Sequence, residues 1–144
     1  MNRILQAHDA LAALLEAAFA GSGAKAFRNP DGARSWSATD FAVVLDDDDA
    51  PEVQGVVCGG IYDLKASPMV TLARKAPEPD RRAGQWDDVS TLRLALAQDH
   101  SLGGVVEDAR IEGVESAELE RATYVGGGLL VTVRLLFAAP SPAG

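Results

Sequence analysis

Apolar residues recur near the start of the chain at the steps of an α-helix. Ile4, Leu11, Leu15 and Ala18 share one face, joined by Leu14 and Phe19, so a helix is expected over 2–20. Asn2 can cap its start and Gly21 can end it. With one apolar face, this helix must lie on something, and a sheet is the expected support. Ala24–Asn29 reads as a short strand, and the Asn-Pro and Asp-Gly dipeptides after it read as turns. Asp40–Asp46 is a short β-rich apolar run, the pattern of a buried strand. Residues 53–73 have strand character broken by Gly55, Gly59, Gly60 and Pro68, and predict two twisted or bulged strands.

A second helical pattern follows. Asp80 is a good cap after Pro77 and Pro79, and Ala83, Trp86, Val89, Leu92 and Leu96 then recur at three- and four-residue steps to about Gln98. This spacing places Trp86 in the core, and Gly84 weakens the first turn. Val105–Glu112 alternates as a strand. Leu129, Val131, Val133, Leu135 and Phe137 alternate against Leu130, Thr132, Arg134 and Leu136, the most β-like run in the chain. Gly126, Gly127 and Gly128 before it predict a flexible tip, and residues 140–144, with two prolines, a flexible tail. The expected fold class is α/β of the α+β kind. It is a mixed, largely antiparallel sheet of four to six strands with two main helices packed on it, in one domain over 1–139.

A length of 144 residues suits one domain with its own core. Aromatic residues make up only 6%, so Ala, Leu and Val must carry that core. Cys58 is the sole cysteine, which rules out an intramolecular disulfide and a Cys-based zinc site. Its apolar, glycine-flanked setting reads as a buried inert thiol, because a reactive thiolate needs a cationic neighbourhood. Gln6, His8, Asp9 and Glu16 interrupt the first apolar run, and no stretch has the roughly 18–20 apolar residues of a membrane span. A soluble, non-secreted chain without membrane contact is expected.

The net charge of −8 disfavours binding in a nucleic-acid groove, where phosphates repel acidic surfaces. It does not exclude a role beside DNA, since repulsion is useful where DNA must slide past without sticking. The four successive aspartates, Asp46, Asp47, Asp48 and Asp49, repel one another and predict a solvated loop tip. They lack the glycine-centred spacing of a calcium loop, and Pro51 follows closely. His8 falls off the apolar stripe of the first helix and is expected to face solvent. Asp99-His100-Ser101 followed by Gly103-Gly104 could suggest a base beside a phosphate cradle. That cradle requires strand, glycines and then a helix N-terminus. Here the glycines leave a helix and enter a strand, so a plain helix exit is expected, with His100 near the negative end of the helix dipole. No Walker-type lysine follows the triple glycine, and no His/Cys set has metal spacing. No catalytic, cofactor or metal residue is therefore assigned, and no enzyme is expected.

One phrase within this order of elements is more specific. Leu96, Asp99, Leu102, Gly103, Gly104 and Val105 resemble the recurrent "aL-x-x-Dp-x-LgG-l-v" phrase of the tail terminator proteins of long-tailed bacteriophages and phage-like gene transfer agents. The wider likeness runs from the first helix, through Lys25–Asn29, to the last strand, Leu129–Pro140. His100 and Ser101 stand where the family often has a proline and a threonine or similar residue, and Asp46–Ala66 departs most. The resemblance implies helices on a mixed sheet and a homohexameric ring, without cofactor or catalytic residues. Such a ring caps the tail tube, ends its polymerisation and presents a surface to the neck. The implied partners are the tail tube protein and neck or head–tail connector proteins, with DNA passing through the lumen without specific binding. The implied location is the neck end of the virion tail, after assembly in the host cytoplasm.

The loops expected to order against such partners contain Asp31, Trp36, Asp46, Asp47, Asp48, Asp49, Gly126, Gly127 and Gly128. Trp36 reads either as an exposed interface anchor or as a ring folded over the sheet edge. Two alternatives stand beside this reading. One is a head–tail joining protein. The other is a small α/β ligand-binding domain or enzyme, with a site between the second helix and the sheet.

Overall fold

The computed structural model describes residues 2–29, 40–57, 59–75, 80–118 and 127–144. Along the chain run α1 (Arg3–Phe19), β1 (Lys25–Arg28), β2 (Phe41–Asp46), β3 (Glu52–Val57), β4 (Ile61–Ala66) and β5 (Met69–Arg74). Then come α2 (Asp80–Gln98), β6 (Asp108–Glu118) and β7 (Gly127–Ala139). The two helices and seven-stranded mixed sheet give the expected α+β class, with one strand more than the upper expectation.

The extra strand comes from 53–73, which holds β3, β4 and β5 rather than two strands. Gly59 and Gly60, at φ +91° and +78°, turn β3 back into β4. In that left-handed region a Cβ would be strained, which explains the glycine pair. β4 and β5 lie end to end along β7: Ala66–Tyr62 pair with Leu135–Ala139, and Arg74–Met69 pair with Gly127–Thr132. Ser67 and Pro68 interrupt this line. Pro68 has no N–H for a ladder, but its carbonyl accepts from the Val133 amide at 3.0 Å. β2 lies beside β5, and β3 lies beside β4. The four strands therefore form one long hairpin. Residues 47–51 bow out of one arm opposite 66–68 of the other. β1 adds in parallel to β2, and β6 covers the other side of β7.

Alternation along β7 sends Leu129, Val131, Val133, Leu135 and Phe137 into a core shared with Leu11, Leu15, Phe19, Leu92 and Leu96 of the helices. Both helices thus pack on one sheet face. A smaller cluster of Ala42, Val44 and Ala73, with Phe27 against it, lies on the opposite face. In α1 the Asn2 side chain accepts from the Ile4 amide at 2.9 Å, the expected cap. The triple-glycine tip is corrected for two of its members. Gly127 and Gly128 are buried strand residues paired with Arg74 and Ala73 on one side and with Glu118 and Ala117 on the other. Gly126 lies outside the described residues.

The stripe of α2 also differs from expectation. Gln85, Asp88, Leu92 and Leu96 point inward, while Trp86 is 54% exposed. The first half of α2 meets a polar end of the sheet. Asp88 accepts from Arg74 Nε at 2.7 Å and a terminal nitrogen at 2.8 Å, and the Gln85 amide donates to the Gly127 carbonyl at 2.6 Å. Arg74 also lies 4.0 Å from the Phe41 ring centre. A Cβ on Gly84 would stand 3.0 Å from Arg74 Nε, so this glycine makes room for the guanidinium.

At the end of α2 the chain makes the expected turn. The Gly103 amide donates to Asp99 Oδ1 at 2.9 Å, and Leu102, Gly103 and Gly104 all have positive φ. Leu102 and Val106 are buried, whereas His100 is exposed. Val105 and Val106 belong to this turn, and β6 begins only at Asp108. Residues 140–144 turn back onto α1. The Gly144 carbonyl accepts from the Arg3 amide at 3.4 Å, and the Ala143 carbonyl from the Asn2 side chain at 3.4 Å. Among the described residues no helix is long and apolar enough to cross a membrane.

Candidate functional site

Two of the four consecutive aspartates do not form a solvated tip. The bowed segment they belong to lies at the middle of the long hairpin, against α1 and β1. His8, expected to face solvent, is 1% exposed. Its Nε2 is 2.7 Å from Asp48 Oδ1, and its Nδ1 is 3.6 Å from Asp47 Oδ2. Arg28 donates to both oxygens of Asp47, at 3.3 and 2.9 Å, and to Asp9 at 2.6 Å. The Asp47 amide donates to the Asn29 side chain at 2.8 Å, and the Ser67 amide donates to Asp48 Oδ2 at 2.8 Å. Ser67 can do so because the hairpin ladder is broken there. Asp46 and Asp49 remain exposed.

The electrostatics follow from this packing. Burial pushes the Asp47 carboxyl up, but hydrogen bonds from Arg28 and Asn29 and the electrostatic effect of neighbouring His8 and Arg28 outweigh it. The net pKa lies below the ordinary 3.8. Asp48 is likewise raised by burial and lowered further by His8 and the Ser67 amide, ending below 3.8. Asp46 is raised by burial and by repulsion from Asp47. The cluster therefore ties α1, β1 and the hairpin together. Arg28 and the His8 ring make these short contacts with carboxylates of the same chain. Among the described residues no group of three or more His, Cys, Asp or Glu side chains is placed to hold a metal ion.

A pH dependence follows. The folded pKa values of Asp47 and Asp48 lie below their unfolded values, so their contribution is complete above the ordinary carboxylate pKa. It is lost as pH falls through the folded values. Urea midpoints of the wild type should fall steeply below about pH 4. Asp48→Asn should lower stability at neutral pH by about 2 kcal/mol and flatten the acid limb. Equal acid limbs in the two proteins would show that the carboxylate is not held by these contacts.

The other notable surface features are apolar. β3 is an edge strand of the sheet, and Val53, Val56 and Val57 on it are 44, 66 and 46% exposed, with Ile61 across the turn at 43%. Its outer backbone groups have no strand partner among the described residues. Trp86 and Leu94, at 54 and 57%, are exposed on α2. Between the helices runs a groove of about 590 Å³ lined by Ala10, Ala13, Leu14, Ala17, Ala95 and Leu102 among others. On the sheet face away from the helices, Lys65 pairs with Glu112 at 2.6 Å, and Arg134 stands 3.6 Å from Asp108 with its Nε buried and unbonded.

Of the residues singled out from sequence, Asp31, Trp36, Cys58 and Gly126 lie outside the described residues. Asp47 and Asp48 come together with His8, which sequence reading set apart, and Gly127 and Gly128 lie far along the sheet from them. The exposed valines of β3 were legible as a strand. They do not alternate with polar residues, so no pattern told which side faces water. The chain matches no known family model and no curated protein.

Proposed function

We propose that this chain is a structural assembly protein, a tail terminator whose homohexameric ring caps a phage-type tail tube. The ring ends polymerisation of the tube and joins it to the neck. The observation that carries this reading is the apolar edge at β3. An edge strand whose outer backbone groups have no strand partner among the described residues, with the exposed apolar side chains Val53, Val56 and Val57, invites pairing with another chain. A register shift between Val53 and Gly55 interrupts its pairing with β4, and Glu52 at its first residue is the only charge on the strand. An assembly protein buries such an edge in its working state. The α+β architecture with a last long strand agrees with what the family resemblance implies. Six chains of −8 make −48 per ring, an acidic lumen through which DNA passes without binding.

Particles made without this protein test the function directly. Electron microscopy is expected to show overlong tails detached from heads. Tails of normal length would overturn termination, and normal tails with unjoined heads would favour a head–tail joining protein instead. Light scattering on the purified chain is expected to give six times the 15.1 kDa chain mass.

A further inference from the structure

On the sheet face away from the helices, a half-open cavity of about 300 Å³ lies over the last part of β7. Leu136 is at its centre. Lys65 of β4 is its cross-strand partner on one side, and on the other the Leu136 carbonyl accepts from the Glu107 amide at 2.7 Å. Arg134 stands two residues back along β7 on the same face, and Asp63, opposite Ala138, stands one step further on. Two positions along a strand span about 7 Å, so cations and carboxylates border one small space. Gln54, where β3 shifts register against β4, completes the wall.

Most charges on this face are matched within the chain. Lys65 pairs with Glu112 at 2.6 Å, and Arg110 with Asp108 at 2.6 Å. Arg134 is the exception among these cations. Its ion pair is to Asp108 at 3.6 Å, beyond hydrogen-bond reach, and the same carboxylate oxygen is held by Arg110. Its Nε is buried and unbonded, and the guanidinium makes no hydrogen bond among the described residues. The side chain is only 29% exposed, so water does little to replace the missing acceptors. Asp63 and Glu107 are the exceptions among the anions. Neither carboxylate has an ion pair or a hydrogen bond among the described residues, and Asp63 is half-buried. The cavity is thus bordered by one set of unused donors and one set of unused acceptors.

The geometry points to a binding site for a small zwitterion of the amino-acid class, with its carboxylate on Arg134 and its ammonium group on Asp63 and Glu107. This inference is independent of the ring reading. A guanidinium fork matches a carboxylate through two parallel N–H···O bonds, which the Arg134 donors are free to make. A simple anion fits less well. Asp63, Glu107, Asp108 and Glu112 outnumber Lys65, Arg110 and Arg134 on this face, so phosphate would add negative charge to a surface already negative. A ligand that carries its own cation serves both unused sets and leaves the net charge unchanged. Leu136 offers apolar surface to the carbon skeleton. At about 30 Å³ per water molecule, the cavity has the space of roughly ten waters, enough for an amino acid.

The test is isothermal titration calorimetry on the full chain, which reads binding in any oligomeric state. The probes are L-alanine, which carries both charged groups, and acetate and methylammonium, which carry one each. L-alanine should bind at one site per chain with a dissociation constant of about 1 mM. Acetate and methylammonium should each bind at least about tenfold more weakly, the scale of one lost charge-assisted contact. Arg134→Met should weaken L-alanine at least about tenfold, and the double variant Asp63→Asn, Glu107→Gln should bring it down to the level of acetate. The double variant changes no group that bonds within the chain, so its circular dichroism and thermal midpoint should match the wild type and keep the test valid if Arg134→Met folds poorly. L-alanine should also raise the wild-type thermal midpoint, since it binds only the folded chain. No saturable heat from L-alanine at tens of millimolar would overturn the site. Acetate or inorganic phosphate binding as tightly as L-alanine would overturn the zwitterion class. L-alanine binding unchanged in the double variant would overturn the role given to the two carboxylates.

Discussion

Arg74→Met is expected to lower the unfolding free energy by about 3 kcal/mol, the scale for breaking a largely buried ion pair. The Asp88 side chain is 6% exposed and takes two hydrogen bonds from Arg74, so the substitution leaves a carboxylate inside the protein without its cation. Methionine keeps the apolar contact with Phe41 that the arginine stem and guanidinium supply. The loss therefore reports on charge rather than on volume. The same reasoning fixes the sign of the double variant. With Asp88→Leu added, no buried charge remains, and a packed apolar pair is often neutral or stabilising relative to the ion pair. Urea unfolding of the wild type, Arg74→Met and the double variant should show a large loss followed by substantial recovery. A double variant less stable than the single one would refute this account. It would mean that the pair stabilises α2 through its geometry, beyond compensating its own desolvation.

Phe137→Ala is expected to cost about 3–5 kcal/mol, the range for truncating a buried aromatic ring. Phe137 is 2% exposed and lies on β7 opposite Leu64, in the cluster that receives both helices. Its removal leaves a cavity lined by strand residues held by ladders on both sides of β7, which limits collapse into the space. A loss of this size corresponds to a drop in thermal midpoint of roughly 10–15 °C for a domain of this length. Trp86→Ala should stay within about 0.5 kcal/mol of the wild-type subunit, because its ring is exposed. The contrast separates the two large aromatics by role: one holds the fold, the other is free for contact. If Phe137→Ala unfolds at the wild-type temperature, its ring is not part of the packed core.

Contact between copies would couple to these measurements. Assembly adds stability that depends on protein concentration, so the subunit values apply to the dissociated chain. Acid should act on the subunit itself, where the loss of charge on Asp47 and Asp48 loosens the hairpin from α1 and β1.

Much of this architecture can be read along the chain because it depends on neighbours. The 3.6 spacing of Ile4, Leu11 and Leu15 marks the buried face of α1. The alternation from Leu129 to Phe137 marks the core face of β7, and the order of helix, glycines and strand identifies the Asp99–Gly104 exit. These patterns are local consequences of backbone geometry, and apolar side chains follow them because water drives them to one face. What stayed illegible concerns polar groups and the partners they meet at long range. Asp48 lies forty residues from His8, and only the packing of α1 over the hairpin turns a run of repelling aspartates into an anchor with a buried histidine. Asp88 and Gln85 take inward positions on α2 because Arg74 and the Gly127 carbonyl are there to bond them, and this rotation brings Trp86 to the surface. Gly127 and Gly128 have the look of a loop until strands pair on both sides of them. A hydrophobic side chain needs only to leave water, which its own periodicity records. A charge or a backbone amide needs a particular partner, and only the folded chain supplies it.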